Sequence, residues 1–279
     1  MKNLSYLFFI VIILGSCKKQ EDESKFEQKF IVNGYIENGK PAYVTIMLNM
    51  PFYAPVNSEE LEKNVIRHAK VTVSDGQNSE VLTGYYDNKK VPYFYYKGSS
   101  LMGELGKKYY LEIVYGGYTL TSETEIPQDA KLNRIWFTAM PESRQQLNIN
   151  FDDDENAKNY YKIYTKSQED EDFIRCFVSN HDDKYFNGRS VNLQLNRGKK
   201  SNTQLTWTPH FSSRDTVTVK FATMNKEAFE FWQSYENEIV NASNPLMGSS
   251  FALKGNIVGR ANGIWCGYGV NYYQIIAPK

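Results

Sequence analysis

From Phe30 onward the chain is written in short apolar and aromatic runs, many alternating with period two and cut by turn dipeptides, a pattern that fits stacked antiparallel sheets and little else. Strands are predicted at Phe30 to Ile36, Tyr43 to Leu48 and Lys70 to Ser74. Asp75-Gly76 then signals a tight hairpin with Val81-Leu82 as the returning strand, because both central turn positions need positive φ. Tyr93 to Tyr96 adds another strand, and Gly116-Gly117 joins Tyr109 to Tyr115 with Tyr118 to Thr124. Six or seven strands of this length describe a sandwich of immunoglobulin or fibronectin type. The polar stretch from Pro51 to Asn64 reads as a long rim loop. With 21 Tyr and 16 Phe the chain is 15% aromatic, which suits cross-strand packing and predicts an all-β protein.

Ile126-Pro127-Gln128-Asp129 interrupts the pattern, since proline cannot donate to a ladder and restrains the residue before it. The expected organisation is two tandem sandwiches, residues 29–127 and 130–279. The second opens with Leu132 to Phe137, then the alternating Leu147, Ile149 and Phe151, followed by Tyr160 to Thr165 and Phe173 to Val178. Val191, Leu193 and Leu195, then Val217, Val219 and Phe221, repeat the alternation. Asn225 to Ala242 differs, with Phe229, Trp232, Tyr235 and Ile239 at helical spacing and Asn225 available as N-cap, so one amphipathic helix should pack on the second sheet. Gly255 to Val270 holds five glycines without a phosphate-loop pattern and reads as turns or bulges before a closing strand at Tyr272 to Ile276.

The first 28 residues do not belong to either sandwich. Lys2, an apolar run from Leu4 to Leu14 that is too short to span a bilayer, and small residues behind it mark a signal peptide over residues 1–16. Leu14, Gly15, Ser16 and Cys17 resemble the bacterial lipobox, which implies cleavage before Cys17 and acylation of its thiol. Lys18, Lys19, Gln20, Glu21 and Asp22 resemble the acidic export signal that sends Bacteroidota lipoproteins to the outer leaflet. Residues 17–28 have too little apolar content to bury a core and would act as a flexible tether of up to ~40 Å. Several acyl chains anchor a domain stably where one does not, so the expected attachment is lipid alone, with a mature chain soluble apart from its anchor.

Lys plus Arg and Asp plus Glu number 32 each, so no basic field exists to hold nucleic acid or an anionic membrane surface. With Cys17 assigned to lipid, Cys176 and Cys266 remain, in a compartment that permits a disulfide; each also sits in an apolar run where a free thiol packs as a small hydrophobe. His68, His181 and His210 match no zinc-hydrolase or finger spacing. Asp152 to Glu155 and Asp170 to Asp172 lack the EF-hand spacing and read as solvated loops at strand ends, and Gly248-Ser249-Ser250 lacks a nucleophile elbow. The residues therefore point to no catalytic group, metal or cofactor. Trp136, Trp207, Trp232 and Trp265 are candidates for stacking on a glycan, or else for burial between sheets.

The segment Val178 to Arg189, with its acidic residues followed by Tyr185-Phe186-Asn187-Gly188, resembles the lipoprotein family catalogued as domain of unknown function 4249. Asn244-Pro245-Leu246, Gly255-Asn256-Ile257-Val258-Gly259 and Asn262 to Gly269 resemble it as well, with Trp265 and Cys266 in place of an expected Phe and small residue. The resemblance implies a non-enzymatic, surface-exposed β-sandwich lipoprotein of the outer membrane, accessory to or capturing ligand for a TonB-dependent barrel. A free-standing glycan- or peptide-binding module is the alternative, and an uncatalogued hydrolase a third.

Overall fold

The computed structural model describes residues 26–51, 57–199, 207–242 and 253–279. In chain order the described elements are β1 (Phe30–Glu37), β2 (Pro41–Leu48), α1 (Ser58–Lys63), β3 (Lys70–Ser74), β4 (Ser79–Val81), β5 (Thr83–Tyr86), β6 (Phe94–Met102), β7 (Lys108–Tyr115) and β8 (Tyr118–Glu125). The second half adds β9 (Leu132–Met140), β10 (Arg144–Asp152), β11 (Tyr160–Ser167), β12 (Ile174–Asp182), β13 (Ser190–Leu195), β14 (Phe211–Ser212), β15 (Thr216–Met224), α2 (Lys226–Ala242) and β16 (Ala261–Ile276). The protein is all-β and sandwich-like, with one substantial helix. No described helix is long and apolar enough to cross a membrane.

The turn chemistry behaves as predicted. Gly76, Gly116 and Gly117 all have positive φ, and the Asp75 carboxylate accepts the backbone N–H groups of Gln77 and Asn78 to close the β3–β4 turn. The loop expected at Pro51 to Asn64 contains α1, capped by the Asn57 side chain.

The tandem arrangement needs correction, because one eight-stranded sheet runs through both halves in the order β12-β11-β15-β16-β1-β2-β6-β5. Its two ends are each covered on the same side by a smaller sheet. β4-β3-β7-β8 buries Val71, Val73, Leu111 and Ile113 against Val32, Ile36, Val44 and Ile46 of the large sheet. The sheet built on β10, with β9, β13 and β14, buries Leu147, Ile149 and Phe151 against Tyr161, Ile163, Val219 and Phe221. The break at Ile126-Pro127 separates β8 from β9, but it does not separate two independent bodies.

β16 is what joins them, pairing in parallel with β1 and antiparallel with β15. Along its inward face Trp265 fills the first core, Gly267 and Gly269 lie under the connection from Glu125 to Asp129, and Tyr273 and Ile275 pack on the second core. The glycines expected to form turns or bulges thus include three inside a 16-residue strand. A Cβ on Gly267 would sit 2.2 Å from the Glu125 carbonyl oxygen, and one on Gly269 2.6 Å from that of Pro127. These positions admit a crossing backbone, which is the second use of glycine in a strand.

Helix α2 packs on the opposite, outward face of the large sheet, where Ala228 and Phe231 meet Ile264, Cys266, Tyr268 and Val270. Asn225 caps it as predicted, its Oδ1 accepting the Ala228 N–H at 2.9 Å. The buried stripe is rotated from the predicted one: Phe231 is buried, whereas Tyr235 is exposed.

Candidate ligand-binding trough

The side of the large sheet turned away from both cores carries the polar and aromatic side chains of the alternating strands. Next to α2 lie Lys162 and Tyr164 of β11 and Lys220 of β15; Tyr272 of β16 and Glu37 of β1 follow. Beyond them runs a row of tyrosines. Tyr35 stacks on Tyr43 with centroids 5.2 Å apart, Tyr43 on Tyr95 at 4.9 Å, and Tyr95 on Tyr85 at 5.6 Å, one ring each from β1, β2, β6 and β5. Strand register produces this row directly, since Tyr35 opposes Tyr43 and Tyr85 opposes Tyr95.

Two buried charge clusters interrupt the floor. Glu37, 3% exposed, accepts from Lys220, from Tyr272 and from Lys40, the last at 3.1 Å. Burial alone would raise its carboxyl, but the charge and hydrogen bond of Lys220 outweigh burial and hold Glu37 below the usual carboxylate range. The Lys220 ammonium also lies 4.9 Å from the Tyr164 ring centroid and 5.4 Å from those of Tyr35 and Tyr268, an aromatic box suited to a cation. Burial lowers the proton affinity of Lys220, and Glu37 offsets part of that.

The second cluster surrounds Lys162, which is 1% exposed. Its Nζ donates to Asn180 Oδ1 at 2.7 Å and to Ser179 Oγ at 3.3 Å, stands 3.8 Å from Glu236, and lies 4.4 Å from the Trp232 ring centroid. Burial pushes this ammonium down to about 7; Glu236 opposes the fall and Arg175 adds to it. The folded state therefore disfavours a charge that an unfolded lysine keeps up to 10.5. Lys162 should make the protein least stable below pH 7, with stability recovered between pH 7 and 10.5, where the unfolded chain alone still holds the proton. Replacing the pair together, Lys162→Met with Glu236→Leu, is expected to stabilise the protein at pH 7 by about 1–4 kcal/mol, as loss of a buried ion pair often does. Urea unfolding of both proteins from pH 6 to 10 checks this: the gap should close as pH rises, and a gap independent of pH refutes it.

Two cavities open over this face. One, of about 730 Å³, lies between α2 and the β11–β12 connection and includes Lys162, Tyr164, Phe173, Arg175, Trp232 and Tyr235 in its wall. The other, of about 460 Å³, lies over Tyr35, Tyr43 and Tyr95, with Lys40, Lys90 and Lys97 at its margin. They adjoin where Lys90 pairs with Asp172 at 2.9 Å, with Lys89 and Glu171 3.8 Å apart beside it, so two loops meet above a common floor. Both volumes fall in the range of small-molecule sites.

The residues singled out in the sequence lie mostly elsewhere. Leu14, Gly15, Ser16, Cys17, Lys18, Lys19, Gln20, Glu21 and Asp22 are outside the described residues, as is Asn244-Pro245-Leu246. Cys176 and Cys266 are both buried free thiols, each pushed up to about 12 by burial, so the disulfide considered above is not formed. The sheet order explains why. β12 and β16 are three strand spacings apart, about 14 Å, and a disulfide needs Cα atoms within about 7 Å. Trp265 is fully buried and donates to the Tyr109 carbonyl; Trp136, Trp207 and Trp232 are half-buried, the last bonded to the Tyr268 hydroxyl.

The acidic loops are less solvated than expected. Asp153 is 7% exposed and accepts from the Tyr161 hydroxyl and the Gly188 N–H, while Asp170, 6% exposed, accepts from the Ser167 N–H. These carboxylates close turns. Among the described residues no group of three or more His, Cys, Asp or Glu is placed to hold a metal ion.

Sequence reasoning missed Glu37, Lys162, Lys220 and the tyrosine row. A usable signal was present: each lysine stands between apolar neighbours, in Tyr161-Lys162-Ile163 and Val219-Lys220-Phe221, within strands apolar on both faces.

No curated protein matches the chain. Among solved structures, a chain described as "Cytokine receptor complex - Crystal form 1A" aligns with 71% of this chain and 85% of its own at 6% identity and a TM-score of 0.25, too low to carry an argument. The family model described as "Domain of unknown function (DUF4249)" matches residues 19–270, nearly the whole chain. The resemblance seen in its loops and glycines therefore holds, and this protein belongs to the DUF4249 family.

Proposed function

We propose that this protein is a surface-exposed outer-membrane lipoprotein of Bacteroidota type, without enzymatic activity, that captures a ligand for a TonB-dependent transporter. The observation that carries the capture role is the trough: two adjoining cavities floored by aromatic rings and buried charges on a rigid sheet. Leu14-Gly15-Ser16-Cys17 and the charged residues behind it support the location. Acylation of Cys17 would confine the molecule to a surface and raise its effective concentration beside a membrane partner. A free-standing module that binds a glycan through its tryptophans has less support, because Trp265 is buried and the indole N–H groups of Trp207 and Trp232 are already bonded.

The full chain, tagged at its C-terminus and expressed in its native host, should partition with membranes, be cut by protease added to intact cells, and co-purify with a barrel from detergent extracts. Cys17→Ala should move it to the soluble fraction. Resistance to protease in intact cells but not in lysed ones would remove the surface location, and purification without any barrel would leave only the free-standing module.

A further inference from the structure

The smaller cavity differs from the larger one in its balance of donors and acceptors. The carboxylates near it are engaged: Glu37 with Lys220, Lys40 and Tyr272, Asp172 with Lys90, and Asp87 with the Lys89 N–H at 3.0 Å. Its donors are not. The hydroxyls of Tyr35, Tyr43 and Tyr95 and the ammonium of Lys97 make no hydrogen bond to another described residue, and Lys97 is exposed directly across from Tyr43 in the sheet. Burial raises the phenols of Tyr35 and Tyr43 above the ordinary range, so both stay protonated and able to donate.

Ring geometry narrows the ligand further. Because Tyr35, Tyr43 and Tyr95 stack on one another, their faces are occupied within the row, and they offer edges and hydroxyls rather than a platform for a sugar ring. We propose that the cavity over Tyr35, Tyr43 and Tyr95 binds a small organic oxyanion, whose carboxylate or phosphate oxygens accept from Lys40, Lys97 and the tyrosine hydroxyls. This rests on reading the trough as a capture site and adds the class of ligand. Ammonium-to-oxyanion bonds are the strong kind, and a volume of about 460 Å³ suits a molecule of metabolite size rather than a polymer.

Calorimetric titration of the full lipidated chain in detergent tests it, with citrate as the carboxylate probe, pyrophosphate as the phosphate probe and trimethyl citrate as the neutral control. One anion should bind at least tenfold more tightly than trimethyl citrate, and the tighter of the two identifies the oxyanion. Lys97→Gln should weaken that binding about tenfold and Tyr43→Phe about threefold. Lys108→Gln, on β7 outside the trough, should leave it unchanged. Failure of both anions to bind overturns the proposal, and so does equal affinity in wild type and Lys97→Gln, or an equal loss in Lys108→Gln. Barrel co-purification is independent of these titrations: a barrel recovered without anion binding removes only the ligand class, and anion binding without a barrel removes only the transporter.

Discussion

Gly267→Ala is expected to destabilise the protein by at least ~3 kcal/mol, far more than an alanine in a strand normally does. The atoms a new Cβ would meet are the backbone O and C of Glu125 at 2.2 and 2.6 Å and N of Ile126 at 2.8 Å, none of which can rotate away. Relief requires the end of β8 and the start of the connection to lift off β16, and β16 is the strand on which both cores are mounted. Gly39→Ala is the control, since nothing lies within 4 Å of its Cβ position and only its φ of +71° is unfavourable, a cost of about 1 kcal/mol. Urea midpoints of the two variants decide the matter: similar losses would mean that close packing under the connection is not what Gly267 provides.

Glu37→Gln should cost about 3–5 kcal/mol, because it keeps the shape of the side chain while leaving Lys220 buried without its counter-charge. Lys220 is 8% exposed as a residue, and burial already works against its ammonium. Replacing the pair together, Glu37→Leu with Lys220→Met, should recover most of that loss, since the desolvation of both charges disappears with them. The pH dependence has a definite sign. The Glu37 carboxyl is held below its ordinary 4.5 in the folded state, so its contribution is complete above that value and is lost as pH falls through the folded one. Wild type should therefore lose stability in acid relative to the double variant. Chemical unfolding at pH 3 and pH 7 measures this, and parallel behaviour of the two proteins would show that the pair is not held ionised.

The strands were the most legible part of the chain. Turn dipeptides bounded β3, β7 and β8, and period-two alternation located β10, β13 and the start of β15 to within a few residues, because a strand with one face on a core and the other less covered writes that contrast into its sequence. Where both faces are covered the contrast fades, and β11, β15 and β16 hid their functional face for that reason. Lys162 and Lys220 look like interruptions of an apolar run until the helix above and the neighbouring strands are in place. The short β5 and β14, all edge or corner pieces, left no periodic trace.

The glycine-rich stretch shows the same limit from the other side. Gly263, Gly267 and Gly269 carry no local mark that separates a turn from a strand receiving another backbone, since either needs the absence of a side chain. Only the position of Val32 against Gly263, and of Glu125 and Pro127 against the other two, tells them apart.

By itself the amino-acid order determined the β class, the hairpin turns, the capped helix and the family to which the chain belongs, because these depend on contacts a few residues apart or on motifs read along the line. Tertiary structure alone decided that the two halves share one sheet, that Cys176 and Cys266 stand too far apart to bond, and that four tyrosines from four strands form one row beside buried charges. Each of those depends on which strands become neighbours across more than a hundred residues, a choice made by the burial of whole sheet faces and not by any short stretch of sequence.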